Sequence, residues 1–545
     1  MKILSIHDGH NASAAIFDDD KILACVSEER INREKFYWGW PELSIKQVLK
    51  DGGLSLSQID AVTVSHLGFW DYLRRKFSDK DTYFPRYFLG HMYNVLVCWK
   101  RERKIRQYFG QHGIKKYFFC DHHLAHAASA YYYSGFSSAL VVTIDGQGDG
   151  RSHTAYEVID GKWKFLVSGG SNASLGAFYG AVTEGLGFKP NRHEGKIVGL
   201  AAIGNPQNIP SEKMALFESI NSDSSFKRKK YLEMAEEVKN LLKDGYSKED
   251  ISAKAQQMLE ESVTKHILKY CNATSMKNLA LAGGVFANVK LNQKLIENCP
   301  IEQIFIQPGM GDEGLILGSA AYYLHQNGIK LRDQIKDVYF GNGYGDEEIE
   351  AILKEKNYSY RILENPATET ANMINNEKII GWFDGRMEFG PRALGHRTIM
   401  ADPRNKNIND ILNHRLRRSE FMPFAPSSLY ELADEVFENT DGSLHAAEFM
   451  TITFNVREKW HEKIRAVVHV DGTARPQLVK KEKNEAYYNV IKSFYDLTGI
   501  PLIVNTSFNI HEEPIVCSPD DALRSYDTGA VDCIVFNNKF LVSKD

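Results

Sequence analysis

The chain has 545 residues, a formal charge of −4 at pH 7, 43% hydrophobic and 25% charged residues; at ~100–200 residues per domain, that is roughly two to four domains, and wholesale disorder is excluded. Net acidity argues against a dedicated nucleic-acid binder, no apolar run nears the ~18–20 residues of a membrane helix, and Asp8 stands too early for a secretory signal. Seven scattered cysteines without a C-x-x-C pair read as buried thiols, so a cytoplasmic protein is expected.

Residues 3–17, ILSIHDGHNASAAIF, read as strand, Asp-Gly turn and returning strand. Residues 74–106 mix Arg and Lys with Tyr, Phe and Trp; solvated amphipathic helices are expected, with a lid over a substrate or nucleic-acid stacking as alternatives. Residues 121–133, DHHLAHAASAYYY, open a helix of small residues. On it His122 and His126 are spaced i, i+4 and project from one face, where they can share a metal. His123 occupies the position that carries Glu in the zinc-protease version of this spacing, so that base is missing. Residues 140–158, LVVTIDGQGDGRSHTAYEV, repeat the strand–turn–strand plan around Asp145-Gly146. Residues 251–267 place Ile251, Ala255, Met258, Leu259, Val263 and Ile267 on one helical face behind a Ser247–Asp250 cap, which is packing rather than chemistry.

Residues 279–295 read as strand, Gly283-Gly284, then helix, the paired glycines allowing a close approach to the backbone. In residues 308–321 a glycine turn carrying Asp312 runs into a small-residue helix. Asp145 and Asp312 are candidates to complete the His122–His126 pair. Two imidazoles and two carboxylates suit an octahedral metal, Fe(II) or Mn(II), better than structural zinc. Residues 330–346 form a charged linker, and a new α/β pattern starts at residue 346. Its densest signal is GRMEFGPRALGHRTIMADPR at 385–404, followed by Arg418, Arg475 and Asn505-Thr506-Ser507. Arginines punctuated by glycine and proline sit in shaped turns, and guanidinium groups with Asn, Thr and Ser donors suit a phosphate or another compact oxyanion.

The duplicated strand–turn–strand units resemble the actin/sugar-kinase/heat-shock ATPase superfamily, where two such loops and a Gly-Gly turn enclose ATP. More specifically, GHNASAA, HHLAHAASA, EGKIVGLAAIG, LAGGVFANVKLN, PGMGDEGLILGSAA, EFGPRALGHRTIMADPR, FMPFAPS, HVDGTARPQ and VNTSFN occur in this order. Together they resemble the NodU/CmcH-type O-carbamoyltransferase family from end to end. The resemblance implies an α/β protein with an N-terminal two-lobed, actin/sugar-kinase-like (ASKHA) domain over residues 1–337 and a C-terminal YrdC-like domain over residues 346–545. It implies that carbamoyl phosphate and ATP give carbamoyl adenylate in the C-terminal domain, and that a hydroxyl of a small-molecule acceptor (a sugar, antibiotic or toxin-like product) attacks it in the N-terminal one.

Carried over by position, His122, His126, Asp145 and Asp312 become metal ligands. Lys196, Gly283, Gly284 and Asn288 would hold the nucleotide, with Mg accompanying ATP. Arg386, Arg392, Arg418, Arg475, Asn505, Thr506 and Ser507 would bind carbamoyl phosphate and the ATP phosphates. Met422 stands where some members have Arg. His10 and Asp8 in the first loop are the catalytic candidates, His10 as the base for the acceptor hydroxyl, with a phosphate-loop donor as its other role. Rival functions are hydrogenase-maturation carbamoyl transfer (whose acylphosphatase and zinc-finger parts are missing here), threonylcarbamoyl-type tRNA modification, and an actin-like ATPase scaffold or chaperone. The acceptor and oligomeric state are open, a homodimer being one option.

Overall fold

The computed structural model describes residues 1–78, 88–170, 174–210, 213, 231–331, 334–417 and 424–544. Contacts divide the chain into two compact units. The first comprises Met1–Glu28, Phe36–Ala287 and Asn298–Ile335; the second comprises Glu29–Lys35, Asn288–Glu297 and Lys336–Asp545.

The first unit holds two five-stranded sheets. Strands β1 (Lys2–His7), β2 (Ser13–Asp18), β3 (Lys21–Ser27), β4 (Ala61–Val64) and β5 (Tyr117–Phe119) lie in the order β3-β2-β1-β4-β5. Strands β6 (Ser138–Gly148), β7 (Arg151–Ile159), β8 (Lys162–Gly170), β9 (Asn278–Ala282) and β10 (Gln303–Ile306) lie in the order β10-β9-β6-β7-β8. The two orders are one plan read from opposite ends. In each, an antiparallel three-stranded meander begins on a strand that also pairs in parallel with the fourth. This repeat is the two-lobed α/β arrangement expected of an actin/sugar-kinase-like domain. The first Asp-Gly pair, Asp8-Gly9, sits between β1 and β2 as expected, with Ile3 opposite Phe17. The second does not, because β6 runs on through Asp145-Gly146 to Gly148 and the chain turns at Asp149-Gly150, both at positive φ, with Gly148 opposite Arg151.

Two helices of small residues carry the site. His122–Ser134 and Leu315–Gln326 cross so closely that a Cβ on Gly318 would lie 1.7 Å from the Ala125 carbonyl oxygen. Alanines 127, 128, 130, 320 and 321 are fully buried around them, and the Ser5 hydroxyl donates to the Ile316 carbonyl at 2.6 Å, tying β1 to the second helix. The long helix Lys248–Thr274 is capped by Ser247, which accepts from the Asp250 N–H at 3.0 Å. It buries Ile251, Ala255, Leu259, Val263 and Ile267 as the periodicity requires, while Met258 is half-buried.

The second unit is built on a mixed eight-stranded sheet among the described residues. Its strands in chain order are β11 (Tyr360–Ile362), β12 (Ile380–Phe383), β13 (Arg397–Ala401), β14 (Ala425–Leu429), β17 (Gln477–Val479), β18 (Leu502–Ser507), β19 (Cys533–Phe536) and β20 (Phe540–Ser543); β15 (Phe454–Asn455) and β16 (Thr473–Ala474) form a separate pair. The spatial order is β11-β20-β19-β12-β13-β18-β14-β17. Wholly buried Trp382, Phe383, Tyr487, Phe494 and Phe508 fill its core. No helix among the described residues is long and apolar enough to cross a membrane.

Candidate functional site

In the first unit, Asp121 caps the helix His122–Ser134 by accepting from the Leu124 N–H at 2.7 Å. One turn apart, the rings of His122 and His126 stand 4.8 Å centre to centre. Asp145 lies in β6 where its pairing with β7 becomes irregular after Ile144, and its Oδ2 lies 3.3 Å from His122 Nε2 and 3.5 Å from His126 Nε2. Asp312, from the turn before the second helix, puts Oδ1 3.5 Å from both nitrogens. One ligand atom from each of the four residues lies within 4.8 Å of the others.

The electrostatics of this cluster oppose its burial. Burial pushes both imidazoles down, yet Asp312 and Asp145 outweigh it, raising His122 to about 9 and His126 above its ordinary value. Burial likewise pushes the carboxyls up, but the imidazoles hold Asp145 well below the carboxylate range and Asp312 below it. The protons sit there only because two carboxylates surround the rings. A divalent cation in their place would meet the same charge and four donors, and the 3.5 Å separations leave His126 Nε2 short of a good hydrogen bond. The donor set therefore fits a metal ion. His123 turns away, its Nδ1 on the Thr143 hydroxyl at 2.8 Å, and burial pushes it down to about 3.

Around this centre the first loop supplies two further imidazoles. His10 Nδ1 lies 4.0 Å from Asp312 Oδ2. Its ring is parallel to Phe36 at 6.1 Å and edge-on to Trp38 at 5.9 Å. His7, which sequence reasoning missed, places Nε2 3.9 Å from Asp312 Oδ2 and Nδ1 2.9 Å from the Ser65 hydroxyl. Burial pushes it down to about 3. Its only signal in the sequence is a histidine directly before the Asp8-Gly9 turn. Asp8 faces Arg101, at 2.6 and 3.1 Å, and His66, at 3.2 Å. Burial would raise its carboxyl, but His66 and Arg101 hold it well below the usual range. One arginine of the basic-aromatic segment is thereby committed to the first loop; residues 79–87 of that segment lie outside the described residues.

The expected nucleotide residues fall in different places. Gly283 has φ +105°, and a Cβ there would lie 2.3 Å from the Ile144 carbonyl oxygen; one on Gly284 would lie 3.0 Å from Asp145 Oδ1. The Gly-Gly turn thus passes directly beside Asp145 and the strand that carries it. Lys196 is buried in the helix Glu194–Ala201, its ammonium 5.7 Å from the centre of the Phe188 ring. Asn288 belongs to the second unit, where it caps the helix Val289–Asn298 by accepting from the Leu291 N–H at 3.1 Å.

In the second unit the EFGPRALGHR stretch is a turn wound on Glu388, whose Oε1 accepts the backbone N–H groups of Leu394, His396 and Arg397 at 2.7–3.1 Å. His396 stacks on Tyr339 at 3.7 Å. Arg397 is fully buried, donates to the carbonyls of Asp384, Gly385, Asn342 and His396, and lies over Phe383. Arg386 donates to the carbonyls of Phe340 and Gly341. Arg392 and Arg475 are half-buried. Asn505 connects their surroundings: its Nδ2 reaches the Ala393 carbonyl at 3.1 Å, the Ser427 hydroxyl at 2.8 Å and Gln477 Oε1 at 2.9 Å. Gln477 in turn donates to the Leu394 carbonyl at 2.7 Å. Thr506 is buried opposite Ile399, and Ser507 donates to Asn509 Oδ1 at 2.5 Å. Arg418 and Met422 lie outside the described residues. Glu388 is the residue missed here, and its place inside the arginine motif was the available signal.

Two family models match the chain: a carbamoyltransferase N-terminus over residues 2–321 and a carbamoyltransferase C-terminus over residues 371–544. An uncharacterized protein of Methanocaldococcus jannaschii is 34% identical, with 99% of each chain covered. Nodulation protein NolNO of Sinorhizobium fredii is 34% identical over 98% of this chain and 79% of its own length. Nodulation protein NolO of Bradyrhizobium diazoefficiens is 36% identical, with 78% and 79% covered. Among solved structures, HypF of T. kodakarensis aligns with a TM-score of 0.34 and 14% identity over 61% of this chain and 49% of its own, too slight a likeness to support an inference. Sequence similarity across both halves settles the matter: this chain belongs to the carbamoyltransferase family, and it is a carbamoyltransferase.

Proposed function

We propose that the protein is an ATP-dependent O-carbamoyltransferase working in two half-reactions. In the first, water hydrolyses carbamoyl phosphate to carbamate and phosphate, and the carbamate displaces pyrophosphate from ATP to give carbamoyl adenylate. In the second, a small-molecule hydroxyl attacks the carbamoyl carbon and AMP departs. Adenylation is chemically necessary because free carbamate is a poor electrophile, and a shielded site protects it from water.

What supports the first half-reaction is the second unit, read here as YrdC-like. Arg386, Arg392 and Arg475 supply charged donors for phosphate oxygens. Asn505 supplies what an –NH2 group needs, since its Oδ1 is buried with no hydrogen-bond partner among the described residues. What supports the second is the first unit. His10 takes the proton of the attacking hydroxyl, its ring oriented by Phe36 and Trp38 and left partly open to solvent. His122, His126, Asp145 and Asp312 would hold a divalent metal, Fe(II) before Mn(II), and such an ion supplies charge to polarise a carbonyl or phosphate oxygen. The Gly283-Gly284 turn and Lys196 are read as nucleotide contacts, with Mg accompanying ATP.

The single observation that carries this reading is the four-residue ligand cluster with His10 at 4.0 Å from one of its carboxylates. Incubation with ATP and carbamoyl phosphate should release phosphate and pyrophosphate. His122→Ala, assayed with Mg in excess, should abolish transfer to a hydroxyl acceptor and leave phosphate release standing. Equal loss of both in a folded variant would refute the division of labour.

A further inference from the structure

The segment Glu29–Lys35 follows β3 of the first unit in the chain, yet its contacts place it in the second. Two arginines account for this. Arg30 is buried, and its guanidinium donates to the Gly390 carbonyl at 2.8 Å. Gly390 has φ +109° and directly precedes Pro391-Arg392. Arg33 donates to the carbonyls of Pro514 at 2.7 Å and Ile515 at 2.8 Å, and its Nε lies 3.4 Å from Asp521 Oδ1. The loop it grips continues from the Asn505-Thr506-Ser507 run: Ser507 donates to Asn509, Asn509 to the Glu513 carbonyl at 2.8 Å, and the Val516 N–H to the Phe508 carbonyl at 2.9 Å. One short segment therefore holds both the turn that leads into Arg392 and the loop that follows Ser507, one through each guanidinium.

The backbone at Arg33 sharpens the point. Its φ is +65°, a left-handed conformation that is unfavourable for an L-residue and that glycine adopts freely. A bulky cation at such a position needs a compensating task for its side chain, and the two carbonyl bonds and the Asp521 contact supply one. Backbone carbonyls satisfied by a guanidinium are also turned towards it, which fixes which way the neighbouring N–H groups and side chains face.

We infer that Arg30 and Arg33 are positioning residues of the anion site: Arg30 sets the Gly390–Arg392 turn and Arg33 sets the loop after Ser507, so that the site is competent only with this N-terminal segment in place. The inference rests on the reading of the second unit as the carbamoyl-phosphate site. It gives Arg30 and Arg33 no contact with the substrate; they act through the loops that make it.

The test uses the full chain and carbamoyl phosphate as the probe. Titration calorimetry and the KM for carbamoyl phosphate in ATP-dependent phosphate release are measured beside the melting temperature. Arg30→Met and Arg33→Gly should each weaken binding and raise KM about tenfold, the equivalent of one charged hydrogen bond. Arg30→Lys, which keeps a cationic donor, should stay within about twofold of wild type. Arg33→Gly relaxes the left-handed backbone while deleting the guanidinium, so it keeps the test open if Arg30→Met does not fold. A lower melting temperature with wild-type affinity and KM would mean a merely structural role and would overturn the inference. Wild-type protein that takes up no carbamoyl phosphate would overturn the reading of the anion site, and this inference with it.

Discussion

His10 is confined more tightly than a loop residue would ordinarily be. Phe36 lies nearly parallel to its ring, with an interplanar angle of 4°, Trp38 meets it edge-on, and the backbones of His10 and Trp38 form an isolated bridge. The side chain is nonetheless 28% exposed, which leaves one approach for a substrate hydroxyl. His10→Asn preserves size and hydrogen bonding but cannot accept a proton near neutrality. Carbamoyl adenylate should still form, and its single-turnover transfer to a hydroxyl should slow by ~10²–10⁴-fold, the effect of a lost general base. Wild-type transfer rates with weakened ATP affinity would make His10 a phosphate-loop donor instead. Much of this site was legible from spacing, because an i, i+4 pair of histidines on a helix faces one way whatever surrounds it. The environment of Asp8 was not, since Arg101 and His66 reach it from remote stretches of chain.

Among the elements, the crossing of His122–Ser134 with Leu315–Gln326 does the most for the site, because the first helix carries both imidazoles and the second follows directly on the turn that carries Asp312. The contact depends on a missing side chain at Gly318, where a methyl group would meet the Ala125 carbonyl and the Ser129 N–H, at 1.7 and 2.7 Å. Neither is a flexible side chain that could swing aside. Gly318→Ala should therefore force the helices apart, cost ~1–3 kcal/mol in urea denaturation as overpacked sites do, and weaken metal binding in the same variant. Unchanged stability would show that the helices can separate freely. The small-residue runs AHAASA and GSAA marked two helices in the sequence, but their partnership was not visible there. Small residues permit a close approach without naming the partner.

At the scale of the whole chain, buried imidazoles set the acid limit of stability. His153 and His266 meet edge to face at 5.2 Å. Burial, then the neighbouring His266, pushes His153 down to about 3, while burial and Lys269 push His266 down to about 4. The ordinary value near 6.5 applies once the chain unfolds, so below it the unfolded state binds protons that the native state refuses. The destabilisation from this pair should grow as pH drops from about 6.5 towards 4 and level off near 3, by at most ~1.4 kcal/mol per pH unit for each imidazole. His266→Phe keeps an aromatic ring beside His153 and removes one titrating group, so it should flatten that slope in denaturation curves at pH 7 and 5. An identical slope would place the acid sensitivity elsewhere.

By itself the sequence determined the local elements and the family. Short apolar runs broken by Asp-Gly pairs specify β1–β2 and β6–β7, because hydrophobic runs and turn chemistry act over a few residues, although the β6–β7 turn falls at Asp149-Gly150 and not at Asp145-Gly146. The ordered motifs, EFGPRALGHR above all, specify a carbamoyltransferase. Only the tertiary structure decided that Asp312, already a candidate partner of His122 and His126, also meets His7 and His10, that Asn288 caps a helix of the second unit, and that Glu29–Lys35 packs there through Arg30 and Arg33. Those pairings join residues separated by up to several hundred positions. Their geometry follows from how helices and sheets pack around a shared core, to which no local spacing refers.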